Sequence, residues 1–296
     1  MSGFLDDMAR SSALRVTQAR LTESLAQLEQ RAASAPRSAP LRLSTAGFDV
    51  IAELKLRSPA AGAYAKPSDD WLKRVVDYAR GGAAAVSVLT EPSRFDGSLE
   101  HLRQTSAVLA PLGVPAMRKD FLVDPYQVLE ARAAGAGGVL VIVRMLSRAQ
   151  MSELLAVASE HGMFVLLEAF DAADLAAAKD LLAVRTGVHA GRDNANRGDA
   201  SRGDASRGDA DNILVGINCR DLQTLQVVPE RFEALASQLP GNWPAVAESG
   251  VASAADAARM MRLGYRVALI GTALMSCDDP AQLLREILAT TRTVES

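Results

Sequence analysis

The feature that most constrains this chain is an alternation of short apolar runs with longer amphipathic segments after residue 40. The runs have the length of strands, and the segments between them have the apolar spacing of helices, several of which end in glycine. Strands that alternate with helices pair in parallel through right-handed crossovers, and eight of them in this length favour a closed barrel over an open sheet. The predicted strands are FDVIAEL, AAAVSVLT, VPAMR, GVLVIV, MFVLLEAF, ILVGIN, PAVAES and RVALIG.

Two segments stand outside this alternation. Residues 4–33 have roughly helical apolar spacing and predict one helix that ends at the Pro-containing stretch 34–40. Residues 187–212 repeat the unit Arg-Gly-Asp-Ala-Ser with almost no apolar side chain, which predicts a disordered insertion. Because the insertion precedes the sixth strand, we expect it on the barrel face opposite the catalytic loops. The sequence thus predicts an α/β fold, a single (β/α)₈ TIM-barrel domain over residues 1–296 with this helical extension and insertion.

Composition excludes several classes of function. The formal charge of -3 and the pI of about 5.7 argue against a nucleic-acid partner, which requires a dense basic face. The Cys content of 2 and the scattered His residues, 3 in all, predict no disulfide framework and no metal site. No apolar run approaches the roughly 20 residues of a membrane helix, and the N-terminus lacks the pattern of a signal peptide. We therefore expect a cytoplasmic protein that binds neither membrane nor metal.

Charged and amide side chains follow several predicted strands at the ends that meet at one mouth of a closed barrel. A single charged residue at a strand end is usually a solvated rim residue. Several opposite charges in one cup of low dielectric constant can instead hold each other ionised and shift pKa values, which is typical of catalytic sites. The candidates are Glu53, Lys55, Lys119, Glu168, Asn218 and Glu248.

Small residues after the last two strands indicate a phosphate site, because barrel enzymes bind phosphate there through backbone N–H groups. Ser249–Gly250 and Gly271–Thr272 occupy these positions, and Ser58 could add a hydroxyl from across the mouth. Taken alone, such pairs are ordinary turns. Near the same rim lie apolar residues that suggest an aromatic substrate in a chain with only 4% aromatic residues: Phe95, Phe121 and Leu140.

These motifs, in this order, resemble the indole-3-glycerol phosphate synthase family. The matching segments are IAELKLRSPAAG, SVLTEPSRFDGSLEHLR, PAMRKDFLVDPYQVLEARAAGAGGVLVIVRML, LVGINCRDLQTLQV, AVAESGV and ALIGTALM. The resemblance spans the chain apart from the insertion and is weak in the N-terminal helix. It implies an enzyme of tryptophan biosynthesis without metal or cofactor. Its substrate would be 1-(2-carboxyphenylamino)-1-deoxyribulose 5-phosphate, which closes to indole-3-glycerol phosphate with loss of CO₂ and water.

The resemblance also implies roles for the candidates. Lys119 would protonate the substrate carbonyl during ring closure, and Glu168 would act as acid and base in the dehydration, with Lys55 sharing proton transfer. From the residues we also expect that a lysine kept near other cations loses its proton more readily than in water. The remaining roles are orientation for Glu53, Asn218 and Glu248; the substrate carboxylate for Arg220 and Lys55; the phosphate for Ser58, Ser249, Gly250, Gly271 and Thr272; and the aromatic ring for Phe95, Phe121 and Leu140.

Two alternatives compete with this interpretation. A phosphoribosylanthranilate isomerase would need a Cys/Asp pair at the mouth, and no predicted strand ends in such a pair. A non-catalytic barrel would be expected to have lost Lys119, Glu168 or Glu53, and all three are present. One departure from the family is Ala60–Ala61, where the family often has Ser-Lys or Ser, so the first loop should contact substrate less. The partner is a phosphorylated small molecule, and both a monomer and a weak homo-oligomer fit the sequence.

Overall fold

The protein is a closed barrel of eight parallel strands. The computed structural model describes residues 3–45, 47–58, 62–63, 70–193, 212–222 and 224–292. Each strand pairs with its neighbours in the chain, and the first pairs with the last, with Asp49 beside Val267. Every predicted apolar run coincides wholly or in most of its residues with one of these strands, which confirms the (β/α)₈ TIM barrel. The strands are β1 Asp49–Leu54, β2 Ala85–Leu89, β3 Ala116–Lys119, β4 Gly138–Ile142, β5 Phe164–Ala169, β6 Ile213–Asn218, β7 Ala245–Glu248 and β8 Val267–Ile270.

Helices connect the strands and cover the outside of the barrel. At least one helix lies between each strand and the next, as the amphipathic segments predict. Two short strands, Arg57–Ser58 and Gly62–Ala63, pair antiparallel after β1. The helices are α1 Phe4–Thr22, α2 Leu25–Ser34, α3 Trp71–Arg80, α4 Pro92–Phe95, α5 Leu99–Leu109, α6 Pro125–Ala133, α7 Arg148–Glu160, α8 Ala172–Asp193, α9 Glu230–Ala236, α10 Ala254–Arg262, α11 Thr272–Ser276 and α12 Pro280–Arg292. No described helix is both long and apolar enough to cross a membrane.

The alternation of side chains along each strand divides the core into two parts. In β5, Val165 and Leu167 face outward and pack in the shell between strands and helices. Phe164 and Leu166 face inward and pack in the barrel interior. Because side chains alternate across a strand, the next inward position is Glu168 at the C-terminal end. The same period that builds the interior therefore delivers a carboxylate to the mouth.

The N-terminal extension differs from the prediction of one helix over residues 4–33, which is wrong. Two helices are present, α1 and α2, and the break lies at Ser24. The Ser24 backbone is extended, its Oγ accepts a hydrogen bond from the Gln27 N–H at 3.4 Å, and Gln27 Oε1 accepts one from the Ser24 N–H at 2.9 Å. This reciprocal capping box begins a new helix. The break lets α2 turn onto α6, where Leu28 packs against Tyr126 in a small separate cluster.

The predicted insertion lies between α8 and β6. Helix α8 continues to Asp193 and so takes in the first seven residues of the predicted segment, counted from 187 to 193. Once a helix has formed, each further residue that is fixed gains one backbone hydrogen bond, which allows this extension. Residues 194–211 lie outside the described part of the chain. Asn212 directly precedes β6, so the insertion joins the barrel at the face opposite the mouth, as expected.

Candidate active site

A cavity of about 420 Å³ opens at the C-terminal ends of the barrel strands. Every candidate residue lines it except Ser58, whose side chain lies outside what the structure describes. No cysteine is among the described residues that line the cavity, which disfavours the isomerase alternative. The candidates brought together are Glu53, Lys55, Phe95, Lys119, Phe121, Leu140, Glu168, Asn218, Arg220, Glu248, Ser249, Gly250, Gly271 and Thr272.

Lys119, the last residue of β3, places its ammonium group between two buried carboxylates. Its Nζ lies 3.1 Å from Oε2 of Glu168 and 3.4 Å from Oε2 of Glu248. Burial acts to lower the pKa of Lys119, but the charges of Glu168, Glu248 and Glu53 outweigh it and raise the pKa above its ordinary value. The expectation that neighbouring cations ease the loss of this proton is therefore wrong. Lys119 stays charged and is suited to donate a proton or a hydrogen bond.

Glu248, at the end of β7, differs from Lys119 because its surroundings favour the uncharged form of its side chain. Burial, and then the negative charge of Glu168, raise its pKa well above that of an ordinary glutamate, although Lys119 opposes the shift. Its Oε1 is buried and has no hydrogen-bond partner among the described residues. A protonated carboxyl group is favoured in such surroundings because it leaves no uncompensated buried charge.

Gly216 in β6 makes this position of Glu248 possible, and sequence analysis did not identify it. A Cβ atom built on Gly216 would overlap Oε1 of Glu248 and lie 3.0 Å from Cδ1 of Leu166. Any larger residue would therefore push the carboxyl group away from Lys119. A glycine inside an apolar strand often marks a close approach, and this was the available signal.

Glu53 and Lys55 form the second ion pair of the mouth. Lys55 Nζ lies 2.9 Å from Oε1 of Glu53, and both side chains are nearly buried. Burial acts to raise the pKa of Glu53, but Lys55 and then Lys119 lower it below its usual range. Gly271 leaves room for this carboxylate, because a Cβ atom there would overlap Oε1 of Glu53. Glu53 is thus held as an anion between two lysines.

Asn218 connects the ends of β6 and β7. Its Oδ1 accepts hydrogen bonds from Ser249 Oγ at 2.9 Å and from the Arg220 N–H at 2.9 Å. Its main-chain carbonyl accepts from the Arg231 guanidinium at 2.6 Å. Ser249 and Gly250 both have positive φ, 64° and 98°, in the turn after β7. The Ser249 hydroxyl already donates its hydrogen to Asn218. The donors that this turn can present to an anion are therefore its backbone N–H groups.

The aromatic end of the cavity includes residues from α1 that sequence analysis did not assign. The Phe121 ring lies 5.8 Å from that of Phe4, edge to face, and 6.3 Å from that of Phe95. Helix α1 is held here because Arg15 donates to both oxygens of Asp120, at 2.7 and 2.9 Å. Phe4 carries no sequence signal of its own, since its contact with the barrel depends on how α1 folds back.

Comparisons with known proteins agree with this geometry. The family model for "Indole-3-glycerol phosphate synthase" matches residues 5–193 and 206–287. Relatives with that name include one from Micrococcus luteus, 39% identical over 94% of this chain and 91% of its own. Another from Nocardioides sp. is 38% identical over 96% and 97%. Among solved structures, 3-hexulose-6-phosphate synthase from Salmonella typhimurium superposes with a TM-score of 0.56 at 14% identity over 84% of this chain and 100% of its own, a likeness of fold alone.

Proposed function

The chain belongs to the indole-3-glycerol phosphate synthase family, and on this premise we propose how its cavity residues divide the work of the reaction. The protein is a carbon-carbon lyase of tryptophan biosynthesis. It converts 1-(2-carboxyphenylamino)-1-deoxyribulose 5-phosphate to indole-3-glycerol phosphate, CO₂ and water. The observation that carries the assignment is the Lys119 ammonium between the carboxylates of Glu168 and Glu248 inside the cavity.

Lys119 is the general acid of ring closure. The ring carbon that bears the carboxylate attacks the carbonyl carbon of the sugar chain, and the carbonyl oxygen takes a proton from Lys119. Carbon dioxide then leaves, and the electrons of its bond restore the aromatic ring. Because carboxylates raise the pKa of Lys119, the ammonium form is present before each turnover. A positioned acid of this kind contributes about 10²- to 10⁴-fold to the rate.

Glu168 serves the dehydration that follows. The hydroxyl formed at the attacked carbon leaves as water, and Glu168 exchanges the protons that this step requires. Glu248 lies against the ammonium group of Lys119, and its own carboxyl group favours the protonated form. It is therefore the adjacent group from which Lys119 can recover a proton. Glu53 and Lys55 form a fixed pair that orients Lys119 and the substrate hydroxyls. Lys55 also shares in proton transfer.

The two ends of the substrate are held on opposite sides of the barrel. The residues that surround the aromatic ring, Phe95, Phe121 and Leu140, follow or lie in β2, β3 and β4, whereas the phosphate residues other than Ser58 follow β7 and β8. In a ring of eight strands these sets face each other across the mouth. Holding both ends brings the reacting carbons together, which can contribute up to about 7–11 kcal/mol. The phosphate residues are Ser58, Ser249, Gly250, Gly271 and Thr272, with Asn218 and Arg220 orienting the polar middle of the substrate and its carboxylate.

The wider setting follows from the same assignment. We infer one domain over the chain, with α1 and α2 as its N-terminal extension, acting in the cytoplasm as a monomer or weak homo-oligomer. The net charge of -3 supports a small-molecule partner rather than nucleic acid.

A direct assay tests the proposal. Purified protein without added metal is expected to convert the deoxyribulose phosphate to an indole product, followed by its fluorescence. Lys119→Ala should abolish nearly all of this signal, while Lys73→Ala should not, because Lys73 pairs with Asp77 on an exposed helix face. Near-normal turnover by Lys119→Ala would contradict the role given to Lys119.

A further inference from the structure

The cavity has an aromatic wall residue to which the assignments above give no role, Phe170. It follows Glu168 by two positions, so its side chain points to the same interior face as Glu168 and Leu166. The residue is 3% exposed, packs in the interior cluster with Leu140, and lines the cavity. Phe170 is therefore the next inward-facing residue after Glu168, on the way from the barrel interior to solvent.

One face of the Phe170 ring is covered by an arginine from the neighbouring segment. Arg144 follows β4, and its Cζ lies 4.6 Å from the centroid of the ring. A guanidinium over an aromatic face is attracted by the ring and lies parallel to it readily, which an ammonium cannot do. Arg144, which is not among the described residues that line the cavity, thus covers one face of the ring.

The charge of Arg144 is already matched by two aspartates. Its Nε donates to Oδ2 of Asp174 at 2.8 Å, and its terminal nitrogen bonds to Asp171 and Asp174. The same Asp174 oxygen accepts the Phe170 N–H at 2.8 Å. Asp174 therefore holds both the backbone of Phe170 and the guanidinium that covers its ring. With two carboxylates bound, Arg144 is poorly placed to serve as the partner of a substrate carboxylate.

We propose that Phe170 is a further binding residue for the anilinic ring of the substrate and that Arg144 is the positioning residue that holds Phe170 in place. The inference rests on the proposed function, because it takes the aromatic end of the substrate to lie between β3 and β5. Arg144 acts through Phe170, so its removal loosens one wall of the ring site and leaves the phosphate end untouched. The acid and base groups also keep their contacts.

Steady-state kinetics on single variants test this division. Arg144→Ala and Phe170→Leu should each raise KM for the deoxyribulose phosphate by about three- to tenfold, with kcat changed by less than about twofold. The inhibition constant for inorganic phosphate, which probes the other end of the site, should stay unchanged. The double variant should lose little more than either single one, because both changes remove the same contact.

Conservative variants separate positioning from a merely structural role. Phe170→Tyr keeps the ring and should retain the wild-type KM. Arg144→Lys keeps the charge but not the flat guanidinium, so its KM should stay close to that of Arg144→Ala. Arg259→Ala is the matched control, because Arg259 also bridges two elements through a carboxylate, Glu233, and neither residue is among those that line the cavity. Its KM should equal the wild-type value. Arg144→Gln replaces Arg144→Ala if the latter fails to fold in a thermal melt.

Three results would overturn the inference. These are a loss of phosphate affinity equal to the rise in KM, a full rescue by Arg144→Lys, or wild-type kinetics for Arg144→Ala. None of these results concerns the lyase activity of the wild-type protein. Absence of that activity would instead contradict the proposed function. The two failures are therefore distinguishable in the same assay.

Discussion

Replacing Lys119 by methionine tests the electrostatic reasoning about the mouth most directly. Methionine fills much of the same space without charge, so the change removes the cation and little packing. Three nearby carboxylates, those of Glu168, Glu248 and Glu53, then lose a partner that acts on them at close range. Removing one member of a buried ion pair costs about 3–5 kcal/mol when the remaining charge stays ionised. The activity should fall by about 10²- to 10⁴-fold in kcat.

The loss of stability should depend on pH, with a sign set by Glu248. Its pKa is raised in the folded protein, and Lys119 opposes that shift, so the variant raises it further. A carboxyl group with a raised folded pKa stabilises the protein below the ordinary glutamate pKa of about 4.3, and this contribution is lost as pH rises through the folded value. Relative to wild type, Lys119→Met should therefore be destabilised more at about pH 8 than at about pH 5.

The measurements are product fluorescence for kcat and urea unfolding at both pH values for stability. Lys73→Met serves as the control, since its exposed pair with Asp77 should contribute little at either pH. Turnover within about tenfold of wild type would refute the role of Lys119 as acid. An equal loss of stability at both pH values would refute the assignment of the cost to unpaired carboxylates.

Three further predictions follow from the same site. Gly216→Ala should lower kcat strongly by displacing Glu248 from Lys119 and cost about 1–3 kcal/mol of stability through overpacking; kinetics and urea unfolding check this, and wild-type kcat would contradict it. Glu248→Gln, which mimics the protonated carboxyl, should retain far more kcat than Glu168→Gln, and equal losses would show that both act as anions. Deleting residues 194–211 with a short joining loop should leave kcat and KM unchanged, because the insertion enters the barrel opposite the mouth; a large loss of turnover in a folded variant would disprove this.

The barrel and most of its mouth could be predicted from the sequence for a simple physical reason. Strand alternation and helix periodicity are local properties, and a parallel barrel brings all strand ends to one face. Glu53, Lys119 and Glu168 could thus be placed together before any distance was known. The break in the N-terminal helix was missed, although Ser24 and Gln27 have capping-box spacing, because the apolar spacing continues across it. That α8 runs on to Asp193 could not be seen in the apolar spacing, because residues 187–193 are almost entirely polar or small.

What the sequence by itself determined was the set of groups at the mouth, since the period of two along each strand decides which residue ends the inward-facing series. Only the tertiary structure decided how these groups pair. Lys119 contacts Glu168 and Glu248 from two other strands, whereas Lys55, the residue after β1, pairs with Glu53 of β1. Charge order along the chain cannot distinguish these pairings, because the distances depend on barrel closure. Barrel closure also places Gly216 against Glu248. It surrounds Lys119 with carboxylates, so that the pKa of Lys119 is raised and not lowered as expected.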